Sequence, residues 1–273
     1  MSSPIDSPLP ATMGPTGVII SPNADLSVEV NQYDPYRADG GLDIPVKTVV
    51  YRVERRKLME CDYFKVMFGS GFRESRKGPI ILQRDNVTAM EIIFRMLHGT
   101  LSGIEPTSVS VQTVWHLVIA CNKYLVDMKT GVLHDWFGEW YEAAWDQTQH
   151  EPIKEPGNSR LEFTEAALYP CVRLDHAVSF QKNTRYLVYH SVRSVKESIQ
   201  VRDSKCKIDL YTDPLVIQQL NAARGRIRNI LCVGLMDKVA DLIKYASCEC
   251  KEGTSFRFLH QLQQLEYGLS KSQ

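Results

Sequence analysis

The chain has 273 residues, enough for one large domain or two of modest size. Hydrophobic residues make up 44% and charged residues 23%, the balance of a globular protein with a substantial core. Lysine and arginine total 32, as do aspartate and glutamate, so the formal net charge is zero. This neutrality argues against a dedicated nucleic-acid-binding domain, which usually carries a basic excess.

The N-terminal segment, residues 1–23, is rich in proline and serine, and this composition predicts a disordered tail. It has no lysine or arginine before its apolar residues, so a secretory signal is not expected. No stretch approaches the ~18 consecutive apolar residues that cross a bilayer, so no membrane partner is predicted. The seven cysteines are scattered and odd in number, which favours reduced thiols and an intracellular location, in the cytoplasm or nucleus.

Alternating apolar residues predict strands at 25–30 and 47–54, which a turn-rich loop joins as a long hairpin. A short helix at 56–61 and a helical turn at 63–68 follow, the second with Phe64 and Phe68 on one face. A third strand at 79–83 precedes helices at 85–99, 111–128 and 132–145. Strands and helices in this order indicate an α+β first half.

A polar stretch with two prolines, residues 147–160, is typical of a linker. Beyond it, apolar residues recur at steps of three and four, as in Leu235, Val239 and Leu242. This spacing predicts an all-α C-terminal region at 161–273.

Residues 24–146 resemble a BTB/POZ domain, because several motifs of that family occur in its order. Leu58 matches the anchoring leucine, and the Cys-Asp-Tyr-Phe at 61–64 takes the place of a Ser-x-Tyr-Phe turn. The sequence departs from the family at Glu54, where histidine is common, and in a longer first hairpin loop. The residues that carry the resemblance are Leu58, Asp62, Tyr63, Phe64, Phe68, Phe72, Glu74 and Gly99.

The resemblance implies a BTB/POZ fold, a small sheet with a cluster of helices, in which the motif aromatics mainly fill the core. The C-terminal region is similar to the helical tail of many fungal BTB proteins. Together they imply a non-enzymatic adaptor for protein–protein interaction that pairs with itself as a homodimer or binds a scaffold. Some members bind a cullin-type scaffold through an apolar-x-Glu motif, but Gly103 stands at the apolar position before Glu105 and weakens that expectation.

Two groups of residues are candidates for contact with a partner. Trp136 and Trp140 lie at helical spacing and either anchor a protein partner, as tryptophan does in interface hot spots, or pack in the core. The alternating arginines Arg224, Arg226 and Arg228 either belong to a solvated, salt-bridged face or touch phosphate. The second possibility describes a transcription-associated regulator whose basic helical tail approaches nucleic acid, and it is the alternative to the adaptor.

No catalytic residue or cofactor is predicted. The glycines at 69 and 71 lack the lysine and third glycine of a phosphate-binding loop, and neither a Gly-x-Ser-x-Gly elbow nor an HExxH motif occurs. Cys248 and Cys250 are separated by one residue and His260 by ten more, whereas zinc ligands usually come in pairs two residues apart. Reduced thiols at a helix end are therefore expected there, with a structural zinc as the alternative.

Overall fold

The computed structural model describes residues 16–33, 45–69, 79–150, 160–191, 194–196, 198–200, 207–209 and 212–245, together with residues 253 and 257. The chain divides into two compact units, Met1–Asp213 and Pro214–Gln273. Strands and helices both contribute to the first unit, and the second contains a long helix. The predicted α+β class is therefore confirmed.

A mixed four-stranded sheet organises the first unit. Its spatial order is β1-β3-β2-β4, and its strands are β1 Thr16–Ile19, β2 Leu26–Gln32, β3 Lys47–Val53 and β4 Ile80–Gln83. Strands β2 and β3 are antiparallel, with Leu26 opposite Val53 and Gln32 opposite Lys47, which confirms the predicted pairing of these two segments. The two outer strands are parallel to their neighbours, β1 to β3 and β4 to β2.

One face of this sheet is buried, because side chains of a strand point alternately to opposite faces. The buried positions are Val28, Val30, Val49, Tyr51, Val53, Ile80 and Leu82. Tyr51 also donates its hydroxyl to the backbone carbonyl of Val87 at 2.8 Å, which joins the sheet to the helix that packs on it. Burial raises the pKa of Tyr51, so the hydroxyl remains a donor.

Strand β1 corrects the expectation of a disordered tail over residues 1–23. The backbone N–H of Ile20 donates to the carbonyl of Arg52 at 3.0 Å, and the Ile20 side chain is buried. The prolines and serines nearby dominate the composition of the segment and conceal this short β-branched run, which gains its hydrogen bonds only from β3. Residues 1–15 lie outside the described residues.

The helices of this part of the chain are α1 Arg55–Leu58, α2 Asp62–Gly69, α3 Val87–Leu97, α4 Val111–Tyr124 and α5 Gly131–His150, with short 3₁₀ turns at Leu101–Gly103 and Pro106–Ser108. Helix α3 packs against strands β2 and β3, and α4 packs on α3. Asn86 and Ser110 cap α3 and α4 by accepting the backbone N–H of Ala89 and Thr113. The predicted helix at 111–128 ends at Tyr124 because Leu125 takes a left-handed conformation, with φ 57°.

An aromatic cluster joins α2 to the end of α4. The Phe64 ring stacks on Tyr124 with centroids 5.4 Å apart, and Tyr63 meets Tyr124 edge-on at 4.9 Å. Phe68 stacks on Phe64 from the next turn of α2 at 6.4 Å. Phe64 is fully buried, so the prediction that it belongs to the core is confirmed.

Two more helices, α6 Arg160–Arg173 and α7 Ala177–His190, pack on the same unit. Trp115 of α4 donates its indole N–H to the carbonyl of Ala166 at 2.7 Å, and Tyr141 of α5 donates to the buried Asn183 side chain at 2.8 Å. Helix α5 runs through residues 147–150 of the predicted linker. The structural division of the chain follows Asp213 instead, since α6 and α7 share the core of α4 and α5.

The C-terminal region is not all helical, in contrast to the prediction. Strands β5 Ser198–Gln200 and β6 Lys207–Asp209 form a small antiparallel sheet. The second unit contains α8, Pro214–Tyr245, a single helix that includes the apolar repeat at 235–242. No helix in the described residues is both long enough and apolar enough to cross a membrane.

We predict that Phe64→Ala destabilises the first unit by about 3–5 kcal/mol, because it removes a buried ring from the cluster with Tyr124. Chemical denaturation followed by circular dichroism measures this change. Val66→Ala is the matched control, since Val66 lies on the same helix with 62% of its surface exposed. If Phe64→Ala keeps the stability of the wild type, the assignment of Phe64 to the core is wrong.

Candidate interaction surface

The face of the sheet opposite the core forms the candidate site, which we call the outer sheet face. The register aligns Gly17, Val50, Glu29 and Ile81 in one row across the four strands. A second row aligns Ile19, Arg52 and Ser27. These residues alternate with the buried ones, so the same period of two that builds the core produces this face.

The outer sheet face exposes apolar side chains at both of its edges. Ile19 on β1 is 71% exposed and Ile81 on β4 is 51% exposed, while Val50 between them is half-buried. The Arg52 side chain is exposed beside Ile19 and has no ion pair within the described part of the chain. Apolar groups together with an uncommitted cation are suited to contact with another protein.

A shallow groove of ≈ 480 Å³ runs along β1 on this face. Its lining includes Gly17, Ile19, Pro22, Val50 and Arg52. A side chain at Gly17 would meet no atom within 4 Å, so the groove is open at this point.

The rim of the groove is fixed by hydrogen bonds. Ser21 donates its hydroxyl to Glu54 at 2.5 Å, and Arg56 donates to the other oxygen of that carboxylate at 3.3 Å. The Ser21 hydrogen bond is the main reason that the pKa of Glu54 is lowered. The carboxylate of Asp25 accepts the backbone N–H of Arg55 at 2.7 Å, so the start of α1 is fastened to the turn before β2.

His98 also forms a hydrogen bond with the rim, at Glu54. Its Nε2 accepts the backbone N–H of Glu54 at 2.9 Å, and its Nδ1 lies 2.7 Å from the carbonyl of Phe94, to which it donates in the tautomer that this pairing requires. The chain therefore has an imidazole at the end of β3, although Glu54 occupies the position at which BTB/POZ domains commonly have histidine. The side chain comes from the end of α3, next to Gly99.

The residues that carry the BTB/POZ resemblance lie in different environments. Leu58, Phe64 and Phe68 are buried, Tyr63 is half-buried, and Asp62 is exposed at the start of α2. Gly99 has a φ of 68°, a left-handed conformation that favours glycine after the end of α3. Phe72 and Glu74 lie outside the described residues.

Trp136 and Trp140 lie in the core rather than on a surface. Trp136 is 5% exposed and Trp140 is fully buried. The Trp140 indole N–H donates to the carbonyl of Val109 at 2.9 Å, and its ring lies 6.0 Å from that of Phe163 on α6. Of the two roles considered for these residues, core packing is the one that the structure shows.

The three arginines of the second unit do not share one exposed face. Arg224 is 4% exposed and donates to the side chain of Asn221 at 2.9 Å, whereas Arg226 and Arg228 are exposed. At 100° per residue, Arg226 lies on the side of α8 opposite Arg224.

No group of three or more histidine, cysteine or acidic side chains suited to a metal occurs among the described residues. The candidate zinc ligands Cys248, Cys250 and His260 lie outside those residues. The buried thiols Cys61, Cys121 and Cys171 are free, and burial raises the pKa of Cys121 to about 12. Such thiols remain protonated and packed, which is typical of structural cysteines.

Comparison with known proteins gives no relative: no family model matches the chain, and no curated protein is similar to it. The BTB/POZ resemblance thus depends on the motif residues and their order.

Sequence reasoning did not identify the outer sheet face. The sequence feature that indicates strand β1 is the β-branched run Val18-Ile19-Ile20. It follows the prolines of residues 1–23, whose overall composition predicts a disordered tail. Its position beside Arg52 depends on the parallel pairing of β1 with β3, which no local pattern reveals.

We predict that Trp140→Phe lowers the free energy of unfolding by about 1–3 kcal/mol more than Trp136→Phe does. Both substitutions remove the same atoms from a buried site, but only Trp140 donates a hydrogen bond, to Val109, and Trp136 Nε1 has no partner among the described residues. Urea denaturation of the two variants measures the difference. Equal losses would show that the Trp140 hydrogen bond contributes nothing.

Proposed function

We propose that the chain is a non-enzymatic adaptor that uses a BTB/POZ-like domain for self-association or scaffold binding inside the cell. The observation that carries the proposal is the outer sheet face, which presents Ile19, Val50 and Ile81 on the same side as Arg52, with no helix over them in the described residues. A rigid sheet presents these side chains at fixed spacings. A partner can therefore bury apolar area without first paying the entropy of ordering the surface.

The titratable groups support a binding role over a catalytic one. The strongest pKa shifts belong to Tyr51, Cys121, Tyr124, Tyr141 and Cys171, and burial is the largest cause of each. All five side chains lie in the core and keep their protons, whereas catalytic groups with shifted pKa values cluster at clefts that substrate can enter. Among the described residues that line the groove along β1, Arg52 is the charged one.

The arrangement on α8 favours the adaptor over the transcription-associated regulator. A phosphate-binding helix would present its arginines together on one exposed side. Arg224 is instead buried beside Asn221, and Arg226 points away from it. No observation on the described residues favours nucleic acid as the partner.

We predict that Ile19→Lys and Ile81→Glu abolish the association of the chain with its partner while leaving the fold intact. A charge on an exposed strand position costs the fold within about 1 kcal/mol. In a closed interface, however, the new lysine would be buried beside Arg52 and the new glutamate beside Glu29, each next to a like charge. Light scattering over a concentration series tests self-association, which would give about twice the 31.1 kDa of one chain. If the chain is a monomer, the test is instead to capture proteins from cell extract with the wild type and with each variant and to identify them by mass spectrometry.

Ile119→Glu is the matched control, because Ile119 lies on α4 and is 47% exposed. The proposal requires that this variant behaves as the wild type and that both sheet variants lose the complex. The proposed function is contradicted if the chain does not self-associate and also captures no protein whose binding depends on Ile19 or Ile81. Circular dichroism of each variant shows whether the fold is retained.

A further inference from the structure

Two histidines meet where α7 begins. The ring of His134, on α5, lies 5.0 Å from the ring of His176, the residue before α7, measured between centroids. Phe137 meets His176 edge-on at 5.5 Å. A Cβ at Gly138 would lie 2.9 Å from His176 Nε2, so a glycine at this position allows the ring to pack directly on α5.

His176 also caps α7 with its side chain. Its Nδ1 accepts the backbone N–H of Ser179 at 3.3 Å, a bond that needs a lone pair on that nitrogen. The ring must therefore be neutral, with its proton on Nε2. A second proton on Nδ1 would replace the acceptor by a donor that faces the Ser179 N–H.

The groups around His176 shift its pKa in opposite directions. Burial and His134 lower its pKa, while Glu142 and Asp135 of α5 raise it, and the net shift is downward. Glu142 is also paired with Lys182 of α7 at 2.5 Å, and Asp175, in the turn from α6, is exposed. The partial positive charge at the N-terminus of α7 opposes a cation on His176 as well.

We propose that His134 and His176 form a proton-sensitive latch that holds the first turn of α7 against α5. At neutral pH the His176 ring is uncharged, packs on Gly138 and beside His134, and caps the helix. Protonation of His176 removes the cap and places a cation at the positive end of α7, so the first turn of α7 separates from α5.

The pH range follows from the direction of the shift. The pKa of His176 is lower in the closed state than in an open one, so the open state binds more protons. The latch stabilises the closed state fully at pH values above the ordinary histidine pKa of about 6.5. This stabilisation is lost as the pH falls below that value and through the pKa that His176 has in the closed state.

The opening is limited to the beginning of α7, because uncharged contacts hold the rest of the helix. Tyr141 donates to Asn183 at 2.8 Å, and Trp145 meets Tyr186 edge-on at 5.5 Å. Neither contact involves a group that titrates near pH 6. Acid therefore exposes the surface of α5 around Phe137 without removing α7 from the unit.

Amide hydrogen exchange of Ser179 and Phe180 in the full chain tests the latch, at pH 7.5 and 5.5 with correction for intrinsic rates. We expect the protection of these two amides to fall several-fold at the lower pH in the wild type. The amides of Asn183 and Leu187 should keep their protection. In His176→Asn the protection should be the same at both values, because asparagine caps a helix but does not titrate.

His190→Asn is the matched control, since His190 lies on α7 and stacks on Tyr186 away from the latch, and it should retain the pH-dependent loss. If His176→Asn weakens the cap at both pH values, the variant His134→Asn provides the decisive test. It keeps the His176 cap, and the proposal requires that it reduces the loss of amide protection at pH 5.5. Protection that does not change with pH in the wild type overturns the proposal. So does a loss that persists unchanged when either ring of the pair is replaced.

Discussion

The contacts of Tyr124 at the end of α4 are the constraint on which the first unit most depends. Its hydroxyl donates to Asp85 at 2.5 Å, its ring lies against Phe64 and Tyr63, and its carbonyl accepts the thiol of Cys61 at 2.9 Å. Asp85 is buried and is neutralised by Lys123 at 2.8 Å, so its charge is compensated inside the core. One residue thereby joins the end of β4, the start of α2 and the end of α4.

This arrangement explains why the two faces of the sheet differ so strongly. Aromatic packing on Tyr124 joins α2 to the end of α4, while α3 contacts both α4 and strands β2 and β3 of the inner face. The outer sheet face receives none of them and keeps Ile19 and Ile81 exposed. A core on one side and an open, hydrogen-bonded sheet on the other is a form suited to docking, because the surface is rigid before any partner arrives.

Helices α6 and α7 extend the core beyond the β-sheet, and their contacts are of two kinds. Trp115, Tyr141 and Trp145 contribute rings and neutral hydrogen bonds, which do not respond to pH between 5 and 8. The pair His134–His176 is different, because the helix cap that His176 provides requires an uncharged imidazole on that residue. Stability and sensitivity to protons are thus separated along one helix.

Local patterns in the sequence were sufficient for strands β2, β3 and β4, for helices α2 to α5, and for the burial of Phe64 and Phe68. A period of two or of 3.6 residues depends only on neighbours along the chain, so it can be recognised without the fold. Tertiary structure alone decided that residues 16–19 form a strand and that Trp140 is a core residue. Each of these depends on what lies opposite in space: β3 for the strand, and Val109 and Phe163 for Trp140. The outer sheet face belongs to this second group, because a strand pattern specifies which side chains alternate but not which side of the sheet the helices will cover.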